Sequence, residues 1–542
     1  MAALDVATAP GTAEFPIEWL DPDDPDVSWE RDDMHAPFAM TPLSADYVRV
    51  LALGFAAGYE YLGIPAEMRC RVWNGYVYFG RRSTAPDSDR ASVSEHADRR
   101  AREHERIAAS YWRDEALPEL DAIYRSIAEL PVEEMEAAAI ADAWDPAWDR
   151  LARAWSIHFY TIIGPYQVLE DLADFVESTL EGVTTAEALQ LVQGRIDELQ
   201  DVDRRIDELV SMAAASPALA DRLSHEPTPT VADLEALPGA TAFAARLRAF
   251  LELHGHLGQG FDDLGLASWG EEPELLLAEL AKRLRDDGAS RGRHDRTAAE
   301  AAEVEARIRE QLRDRPDDLR RFEELVTLGR EIGPLTEGHN YWIDRKAQAR
   351  LRAFAFRVGQ RLVDLGVLAE RADVLFLERA EVPQLLRAPA DRRDVVAHRK
   401  VAHERHRSLS VPHNIGKPPD GSPRDRFDGT PRAAAEDGTL RGTGASAGVA
   451  RGRARVVLGP DDFDRVQSGD IIVAPSSNPS WVPLFTIAAG LVTNTGGVLC
   501  HAAVVAREFG LPAVVGVATA TTMIRDGESL EIDGREGTVR RL

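Results

Sequence analysis

A single histidine, His501, is placed where it could carry a phosphoryl group. It follows a glycine pair, Gly496 and Gly497, and opens a run of small apolar residues at 502–506 that predicts a short, tightly packed helix. The first turn of a helix presents N–H groups without partners inside the helix and the positive end of the helix dipole, and phosphoryl oxygens bind well there. We therefore predict a phosphohistidine at His501. The alternative is a histidine in the core or at the surface whose ring nitrogens are hydrogen-bonded and which has no chemical role.

The elements around this histidine are predicted by short-range signals. The glycine pair permits the backbone angles and close approaches of a turn around an anion. Gly510 is placed to end the helix, and Pro512 prevents its continuation. The β-branched residues within 512–517 predict a buried strand. The local unit is thus a strand, a glycine turn, a helix and a second strand.

A larger segment, residues 438–542, resembles the mobile phosphohistidine domain of the phosphoenolpyruvate-utilising, dikinase-type phosphotransferases. Four stretches match in order, namely LRGTGASAGVARGRARVV, GDIIVAPSSNPSWVPLF, AAGLVTNTGGVLCHAAVVAREFGLPAVVGV and DGESLEIDGREGTV. The resemblance implies a small α/β swivelling domain in which His501 is phosphorylated. It also implies a set of phosphate-binding residues, which are Thr493, Gly496, Gly497 and Arg507.

Two residues beside the histidine bear on regulation and reactivity. Leu499 stands where some dikinases carry a regulatory threonine, so control by phosphorylation of that position is not expected. Cys500 is interpreted as a small packing residue, because a buried thiol is inert unless its surroundings lower its pKa.

The same segment contains a G-x-S-x-G pattern at residues 444–448. That pattern marks the nucleophile of a serine hydrolase only where a strand precedes it and a helix follows it. The alternating, β-branched residues 449–457 predict a following strand instead. We therefore interpret the pattern as part of the sheet.

Length and composition indicate a multidomain protein without nucleic-acid or membrane character. A chain of 542 residues is long enough for two or three domains. Its 63 basic and 91 acidic residues give a net charge of −28, which argues against nucleic acid or an anionic membrane as the main partner. Two cysteines give no support for a disulfide framework, and the sequence has neither a secretion signal nor a long apolar run. We expect a cytoplasmic protein with no dedicated metal site.

Four regions follow one another along the chain. Residues 1–35 are acidic and rich in proline, and predict an extended arm. Residues 36–407 predict a mostly α-helical domain that contains one β-hairpin, at 71–80, with Asn74 and Gly75 at its turn. Its clearest helix lies within 344–366, where apolar residues recur every three or four positions. Residues 408–437 predict a flexible linker, and the α/β phosphohistidine domain follows at 438–542.

A phosphate carrier needs a donor site and an acceptor site. The sequence contains no G-x-x-x-x-G-K-[ST] loop, and no glycine-rich segment of an ATP-grasp domain is recognisable. We therefore expect ATP and Mg²⁺ to be bound mainly by a separate ATP-grasp subunit. The helical region is then the candidate acceptor domain.

Two stretches of the helical region resemble the substrate domain of the rifampicin phosphotransferase family. The first, FLELHGHLGQGFDDLGLASWGEEPELL at 250–276, has Leu257 where that family has arginine. The second is EGHNYWIDRK at 337–346. The absence of a nucleotide domain also resembles the two-subunit aryl phosphotransferases, and this likeness implies a phenolic acceptor.

Transfer of phosphate from imidazole to a hydroxyl needs a base near the acceptor oxygen and cations or donors for the spreading charge. His256 is the candidate base, because it lies beside glycines and outside the apolar stripe that holds His254. Lys346 is a candidate cation. Three further residues either frame an aromatic ligand or serve packing alone, namely His339, Tyr341 and Trp342.

The sequence thus leads to the hypothesis of a ping-pong phosphotransferase. The family resemblance implies that ATP is converted to AMP and phosphate while His501 carries a phosphoryl group to a small aromatic hydroxyl. Two alternatives stay open for the carrier: it hands phosphate to another protein, or it is a regulator without catalysis. The acceptor could also be an antibiotic like rifampicin.

Overall fold

Two structural units alternate along the chain in this computed structural model. The structure describes residues 15–84, 86–192, 196–225, 228–258, 263–285, 293–418, 439–477 and 481–542. The first unit contains residues 1–163, 260–267 and 342–422, and the second contains 164–259, 268–341 and 423–542. The predicted helical region of 36–407 is therefore divided between two units, because segments distant in sequence pack together in each.

The described helices are α1 Pro42–Arg49, α2 Leu51–Leu62, α3 Arg90–Glu105, α4 Ala108–Tyr111, α5 Leu117–Ala128, α6 Ala137–Thr161, α7 Ile163–Thr179, α8 Thr185–Gln190, α9 Asp197–Ala214, α10 Pro217–Ser224, α11 Val231–Glu235, α12 Thr241–His254, α13 Pro273–Arg285, α14 Arg293–Gln311, α15 Pro316–Ile332, α16 Leu335–Asn340, α17 Lys346–Asp364, α18 Glu381–Arg387, α19 Arg393–Arg407, α20 Val482–Ile487, α21 His501–Glu508 and α22 Ala520–Met523. Single π-helical turns span Trp112–Ala116 and Tyr341–Arg345. Among these helices, none combines the length with the apolar character that a membrane crossing requires.

The described strands are β1 Ser28–Arg31, β2 Ala66–Trp73, β3 Tyr76–Ser83, β4 Asn414–Gly416, β5 Leu440–Arg441, β6 Thr443–Ser446, β7 Val449–Val456, β8 Ile471–Ala474, β9 Gly490–Thr493, β10 Ala513–Val515, β11 Ser529–Asp533 and β12 Thr538–Arg541. The first four form one sheet in the first unit, in the order β2-β3-β1-β4. The other eight form a sheet in the second unit.

The predicted hairpin is confirmed as the pair β2 and β3. Trp73 pairs with Tyr76, so the loop between the strands contains two residues. Asn74 has a φ of 52° and Gly75 a φ of 80°, as a two-residue turn that follows the twist of the strands requires. The sequence predicts this hairpin correctly because the turn residues and the strand residues that specify it are neighbours in the chain.

The predicted extended arm and linker are wrong for the parts that the structure describes. Residues 15–35 contain β1, and Phe15 and Trp29 are both fully buried. The first part of the predicted linker contains β4, which pairs antiparallel with β1. Apolar burial against the hairpin sheet overrides the acidic, proline-rich composition of both segments. Residues 419–438, the rest of the predicted linker, lie outside the described residues.

The clearest predicted helix is confirmed as α17. Its buried residues are those of the apolar stripe and include Leu351, Phe354, Val358 and Leu362. Gly366 follows in the left-handed conformation with a φ of 73°. Such a residue ends a helix without the steric cost of a Cβ atom.

The carboxy-terminal part of the second unit is the expected α/β domain. Its sheet has the order β5-β12-β11-β7-β8-β9-β10-β6, and β7, β8, β9 and β10 run parallel to one another. Along β8, Ile472 packs into a core on one side, whereas Ile471 and Val473 pack into a core on the other. A sheet covered on both faces is typical of α/β proteins. The G-x-S-x-G residues lie in and between β6 and β7, so a strand follows the pattern, as predicted.

Candidate phosphohistidine site

A glycine turn places His501 at the first residue of α21. The turn follows β9, and Gly496 there has a φ of 112°. A Cβ atom at this position would lie 2.7 Å from Sγ of Cys500, so the turn needs glycine both for its backbone angle and for space. The first intrahelical bond runs from the amide of Val504 to the carbonyl of Cys500 at 3.0 Å. The preceding amides, from His501 onward, therefore belong to the open first turn of the helix.

Arg507 secures this turn from inside the domain. Its side chain is buried, with 1% of the residue exposed. Nη1 donates to the carbonyl of Ala445 and Nη2 to the carbonyl of Val498, both at 2.6 Å. Burial lowers the pKa of the guanidinium to about 10, which leaves it charged at neutral pH. Arg507 thus ties β6 to the segment before the histidine, and its predicted phosphate contact stays a prediction.

The other predicted phosphate-binding residues are placed around the same turn. Thr493 is fully buried at the end of β9, and its hydroxyl donates to the carbonyl of Thr495 at 2.7 Å. The carbonyl of Gly497 accepts from the amide of Cys500 at 3.2 Å. Burial raises the pKa of the Cys500 thiol to about 11, so the thiol is protonated at neutral pH. This agrees with the prediction that Cys500 is an inert packing residue.

His501 contacts a carboxylate of the helical part of the same unit. Its Nδ1 lies 2.7 Å from Oε2 of Glu337, which belongs to α16, and both side chains are 3% exposed. The same carboxylate oxygen accepts a hydrogen bond from Nδ2 of Asn340 at 2.8 Å. The imidazole therefore faces an oriented, buried carboxylate.

This contact decides which nitrogen of His501 can react. A carboxylate accepts hydrogen bonds, so Nδ1 carries the proton that it donates to Glu337. The lone pair of the neutral ring then lies on Nε2. Nε2 is buried and has no hydrogen-bond partner among the described residues. The pair thus resembles a base held in one tautomer by an orienting carboxylate, as in nucleophilic catalysis.

Three further contacts join the α/β domain to the helical part of the second unit. The amide of Ile196 donates to Oε2 of Glu508 at 3.3 Å. Nη2 of Arg535 lies 3.0 Å from Oε1 of Glu187. Nζ of Lys282 donates to the carbonyl of Phe463 at 3.2 Å. The domain is therefore docked in a position that presents its histidine to α16.

The comparisons with known proteins agree with this geometry. Residues 466–537 match the profile of the PEP-utilising enzyme mobile domain. Residues 466–537 form such a mobile domain. Residues 166–337 match the rifampicin phosphotransferase fourth domain, and most of this segment belongs to the helical part of the second unit. The predicted resemblances are confirmed for the carboxy-terminal domain and for the stretch 250–276. The matched segment ends at residue 337, so the resemblance of the stretch 337–346 stays a prediction, as does the likeness to the two-subunit aryl phosphotransferases.

Three relatives illustrate how these regions occur in other proteins. A rifampicin phosphotransferase of Streptomyces sviceus is 33% identical over 320 residues, which cover 57% of this chain and 36% of the relative. The uncharacterized phosphotransferase YvkC of Bacillus subtilis is 25% identical over 426 residues, or 77% of this chain and 50% of the relative. The chondramide synthase cmdD of Chondromyces crocatus is 30% identical over 567 residues, or 98% of this chain and 14% of the relative. The chain thus spans half or less of each of these relatives.

Two of the three predicted acceptor residues in the same unit as the mobile domain lie in contact, namely His256 and Tyr341. The rings of His256 and Tyr341 meet edge to face with centroids 4.5 Å apart. The hydroxyl of Tyr341 lies 2.8 Å from Nδ1 of His254. His339 is buried, and its Nδ1 donates to the carbonyl of Leu335 at 2.6 Å. His339 is therefore tied to its own helix, whereas Tyr341 and His256 share one aromatic group.

Trp342 and Lys346 belong to the first unit. Nζ of Lys346 lies 4.6 Å from the centre of the Trp342 ring and 5.9 Å from that of Tyr124. The hydroxyl of Tyr124 donates to the carbonyl of Trp342 at 2.7 Å. Burial, reinforced by Arg350, lowers the pKa of Lys346. These residues form a cation–π group, and their predicted contact with a substrate stays a prediction.

Sequence reasoning missed two contributions to the site. Glu337 was not predicted to act, although it is the first residue of the stretch 337–346 that resembles the rifampicin phosphotransferases. His254 was assigned to the core, and it is buried, but both of its ring nitrogens have polar partners. Only the fold could reveal either role, since the partners are far away in the sequence.

Proposed function

We propose that this chain is the phosphate-carrying and acceptor-binding component of a phosphotransferase. His501 would take a phosphoryl group on Nε2 and transfer it to the hydroxyl of a small molecule. The observation that carries the proposal is the buried contact between Nδ1 of His501 and Glu337, which leaves the Nε2 lone pair for phosphorus.

The chemistry proceeds in two displacements at phosphorus. In the first, Nε2 forms a bond to the phosphorus atom of the donor, and the bond from phosphorus to the donor oxygen breaks. In the second, the acceptor oxygen forms the new bond, the N–P bond breaks, and the hydroxyl proton passes to a base. The carboxylate of Glu337 stabilises the positive charge of the substituted imidazole in between. The open first turn of α21 offers amide donors for the phosphoryl oxygens.

The donor in this proposal is ATP bound with Mg²⁺ by a separate ATP-grasp subunit. The likeness to dikinase-type enzymes supports ATP as donor, with AMP and phosphate as the other products. With this donor, Nε2 attacks the β-phosphorus and AMP leaves with the bridging oxygen. Between the two displacements, water then cleaves the terminal phosphate from the pyrophosphohistidine, so that a single phosphoryl group stays on His501. Holding the nucleotide and the acceptor at separate places limits loss of phosphate to water.

The acceptor in this proposal is a small phenolic hydroxyl. Buried aromatic side chains pack together in the helical part of the second unit and reach His256 through Tyr341. Phe250 lies tilted against Trp269 and His254, with ring centroids 5.9 Å and 5.0 Å away. Such a group suits an aromatic ligand that also offers a polar edge. The relatives named rifampicin phosphotransferase make a rifampicin-like antibiotic the second candidate acceptor.

Docking of the mobile domain favours an acceptor on this chain over transfer to another protein. His501 is buried against α16, so a partner protein would have to displace this contact before it could reach Nε2. A carrier that served only other proteins would have no need of an oriented carboxylate on its own helical part.

A two-step experiment tests the proposal. The purified chain is treated with phosphoramidate, a small phosphate donor, and the phosphorylated position is mapped by mass spectrometry under alkaline conditions. Phenol, 4-hydroxyphenylethanone and rifampicin are then added separately, and the phosphorylated products are measured. We expect phosphate on His501, none there in His501→Asn, and transfer to at least one acceptor. His398→Asn, on α19 of the first unit, is the matched control and should behave as the wild type.

The outcomes separate the parts of the proposal. Phosphate that appears only on other histidines would overturn the carrier function. A stable phosphohistidine at His501 that no acceptor discharges would instead favour transfer to a protein. Transfer of phosphate to rifampicin and not to the phenols would identify the antibiotic, and not a phenol, as the acceptor.

A further inference from the structure

Four exposed arginines share one face of the sheet in the mobile domain. Register partners on neighbouring strands, and alternate residues along one strand, have their side chains on the same face. Arg451 of β7 and Arg540 of β12 are both register partners of Glu531 on β11. Arg453 follows Arg451 by two residues. On β5, Arg441 is paired with the residue two positions before Arg540. We call these four residues the arginine face.

The arginine face is exposed and only partly neutralised. The side chains of Arg451 and Arg540 are 72% and 61% exposed, and both lie near the carboxylate of Glu531. Arg441 and Arg453 are also exposed, and within the described part of the chain their side chains form no ion pair or hydrogen bond. The other carboxylate on this face belongs to Asp533, two residues after Glu531. Four guanidinium groups thus stand against two carboxylates.

The arginine face is on the side of the sheet that carries the helix of His501. Arg455 continues the alternation along β7, and its register partner on β8 is Ile472. The side chain of Ile472 packs in one apolar core with Ala503 of α21. The intervening residues of the arginine-bearing strands, such as Leu530, pack in the core on the opposite side. A partner that covers the arginine face therefore meets the same side of the sheet as α21.

The distribution of charge shows which partner suits this face. Residues 439–542 contain ten arginines, no lysine and ten acidic residues, so the net charge of −28 lies in residues 1–438. An acidic partner is repelled by residues 1–438 and attracted by the arginine face, and such a contrast steers association to one surface. Glu531 would oppose a phosphate backbone, whereas a protein can place a basic group opposite it. Arginine is also the charged residue that protein interfaces favour.

The contacts that dock the mobile domain on the helical part leave the arginine face unused. They involve the side chains of Glu508 and Arg535 and the carbonyl of Phe463, in addition to His501. None of these residues belongs to the arginine face. The domain can therefore present one surface to the acceptor part and another to a second partner.

We propose that the arginine face docks the mobile domain on an acidic surface of the subunit that donates phosphate, and this inference rests on the proposed function. In that function, His501 leaves its contact with Glu337 and meets a donor that is bound elsewhere. The arginine face supplies the recognition for that second position. Its complementary charge speeds the encounter and sets the orientation in which the histidine arrives.

A comparison of two phosphate sources tests the arginine face. The first source is phosphoramidate, which needs no protein surface. The second is ATP together with clarified extract from host cells that lack the gene for this chain. In the double variant Arg441→Glu/Arg453→Glu, we expect phosphorylation of His501 by the extract at low salt to slow roughly 10- to 100-fold, while loading by phosphoramidate keeps its wild-type rate. The deficit should shrink at about 0.5 M KCl, because salt screens exposed charges.

The matched control is Arg525→Glu/Arg541→Glu, which makes the same change of charge within the mobile domain. Arg541 is the register partner of Leu530 and lies on the opposite side of β12 from Arg540, and Arg525 lies in the loop after α22. Both sources should phosphorylate this control at wild-type rates. Slowing with the extract that is as large in the control as in the test variant overturns recognition by the arginine face.

The remaining outcomes separate this inference from the proposed function. Failure of phosphoramidate to load His501 in the wild type overturns the proposed function itself. Loading by phosphoramidate but not by the extract with ATP overturns the donor subunit, and with it the role of the arginine face. Equal rates of phosphorylation by the extract in the wild type and the test variant overturn the arginine face alone. A wild-type dimer in sedimentation at low salt that the test variant loses would assign the face to a second copy of this chain instead.

Discussion

Among single residues, the proposed chemistry of His501 depends most on the carboxylate of Glu337. It has no role in the local fold of the mobile domain, yet it contacts Nδ1 of His501 at 2.7 Å inside a buried interface. A neutral amide at this position would still accept a hydrogen bond but would not stabilise positive charge on the ring. The residue is thus placed to affect phosphate chemistry more than stability.

The first prediction concerns the variant Glu337→Gln. Charge-assisted hydrogen bonds contribute about 1.5–3 kcal/mol, so we expect phosphorylation of His501 by phosphoramidate to slow roughly ten- to hundredfold. The measurement is the initial rate of phosphohistidine formation by intact-protein mass spectrometry. Glu331→Gln, an exposed residue near the end of α15 in the same unit, is the control. A rate unchanged by Glu337→Gln would show that the carboxylate does not activate the ring.

The second prediction concerns Gly496. In Gly496→Ala, the φ of 112° is strained and the new Cβ atom meets Sγ of Cys500 at 2.7 Å. We expect a loss of stability of about 1–3 kcal/mol in urea unfolding of the mobile domain. Gly527→Ala is the matched control, because Gly527 has a φ of 86° but nothing within 4 Å of the added atom.

A double variant separates the two contributions at this glycine. Cys500→Ala removes the sulfur, so Gly496→Ala should cost less in that background and should approach the cost of Gly527→Ala. An equal cost with and without the sulfur would contradict the proposed clash.

At the scale of elements, the pairing of β1 with β4 joins residues far apart in the chain. The amide of Arg31 donates to the carbonyl of His413 at 2.8 Å, just outside the paired residues. Nδ1 of His413 also lies 2.8 Å from Oδ2 of Asp33. Hydrogen bonds with Asp33 and then Glu30 raise the pKa of His413 to about 9. The imidazolium is therefore part of what holds β4 to β1.

The third prediction is a pH dependence of this pairing. The pKa of His413 is higher in the folded than in the unfolded chain, so its stabilising effect is complete below about pH 6.5 and is lost as the pH rises through 9. His413→Gln should therefore lower the urea midpoint of the first unit at pH 6 and should leave it nearly unchanged at pH 9.5. Asp33→Asn removes the carboxylate that His413 contacts, so it should lower the urea midpoint at pH 6 by most of the same amount and change it little at pH 9.5. A deficit that grows with pH would contradict the assignment.

Across the second unit, few polar contacts between the described residues hold the mobile domain in addition to the site itself. The carboxylate of Glu187 forms ion pairs with Arg307 and with Arg535 of the mobile domain. The same carboxylate also caps the start of α8. Arg535 is half exposed, so this ion pair is worth at most about 1 kcal/mol. In the proposed function the domain leaves after each transfer, and weak contacts of this kind suit that movement.

The fourth prediction concerns release of the docked domain. Arg535→Gln should weaken docking and thereby separate α21 from α16 more often, raising the rate of amide hydrogen exchange in the first turn of α21 up to about fivefold. High salt should raise the wild-type rate in the same direction and have less effect on the variant. Arg540→Gln, which removes a pair within the mobile domain alone, is the control. Exchange in Arg535→Gln that is no faster than in the wild type would contradict a docked state to which this ion pair contributes.

The limits of sequence reasoning follow from the distances along the chain. The turn at Asn74 and Gly75, the helix α17 and the unit around His501 were predictable because their signals lie within a few neighbouring residues. The contact between His501 and Glu337 joins residues 164 positions apart, and β4 meets β1 across a still longer separation. No local pattern encodes such pairings, so the sequence predicts an extended arm at 1–35 and a flexible linker at 408–437.

The most direct test of the central claim is to map phosphate on the chain purified under alkaline conditions from ATP-replete cells of its own host. Mass spectrometry locates the modified residue, and ³¹P NMR identifies the modified nitrogen. The account predicts an acid-labile phosphoryl group on Nε2 of His501. Phosphate on Nδ1 of His501, on another residue or on none would contradict it.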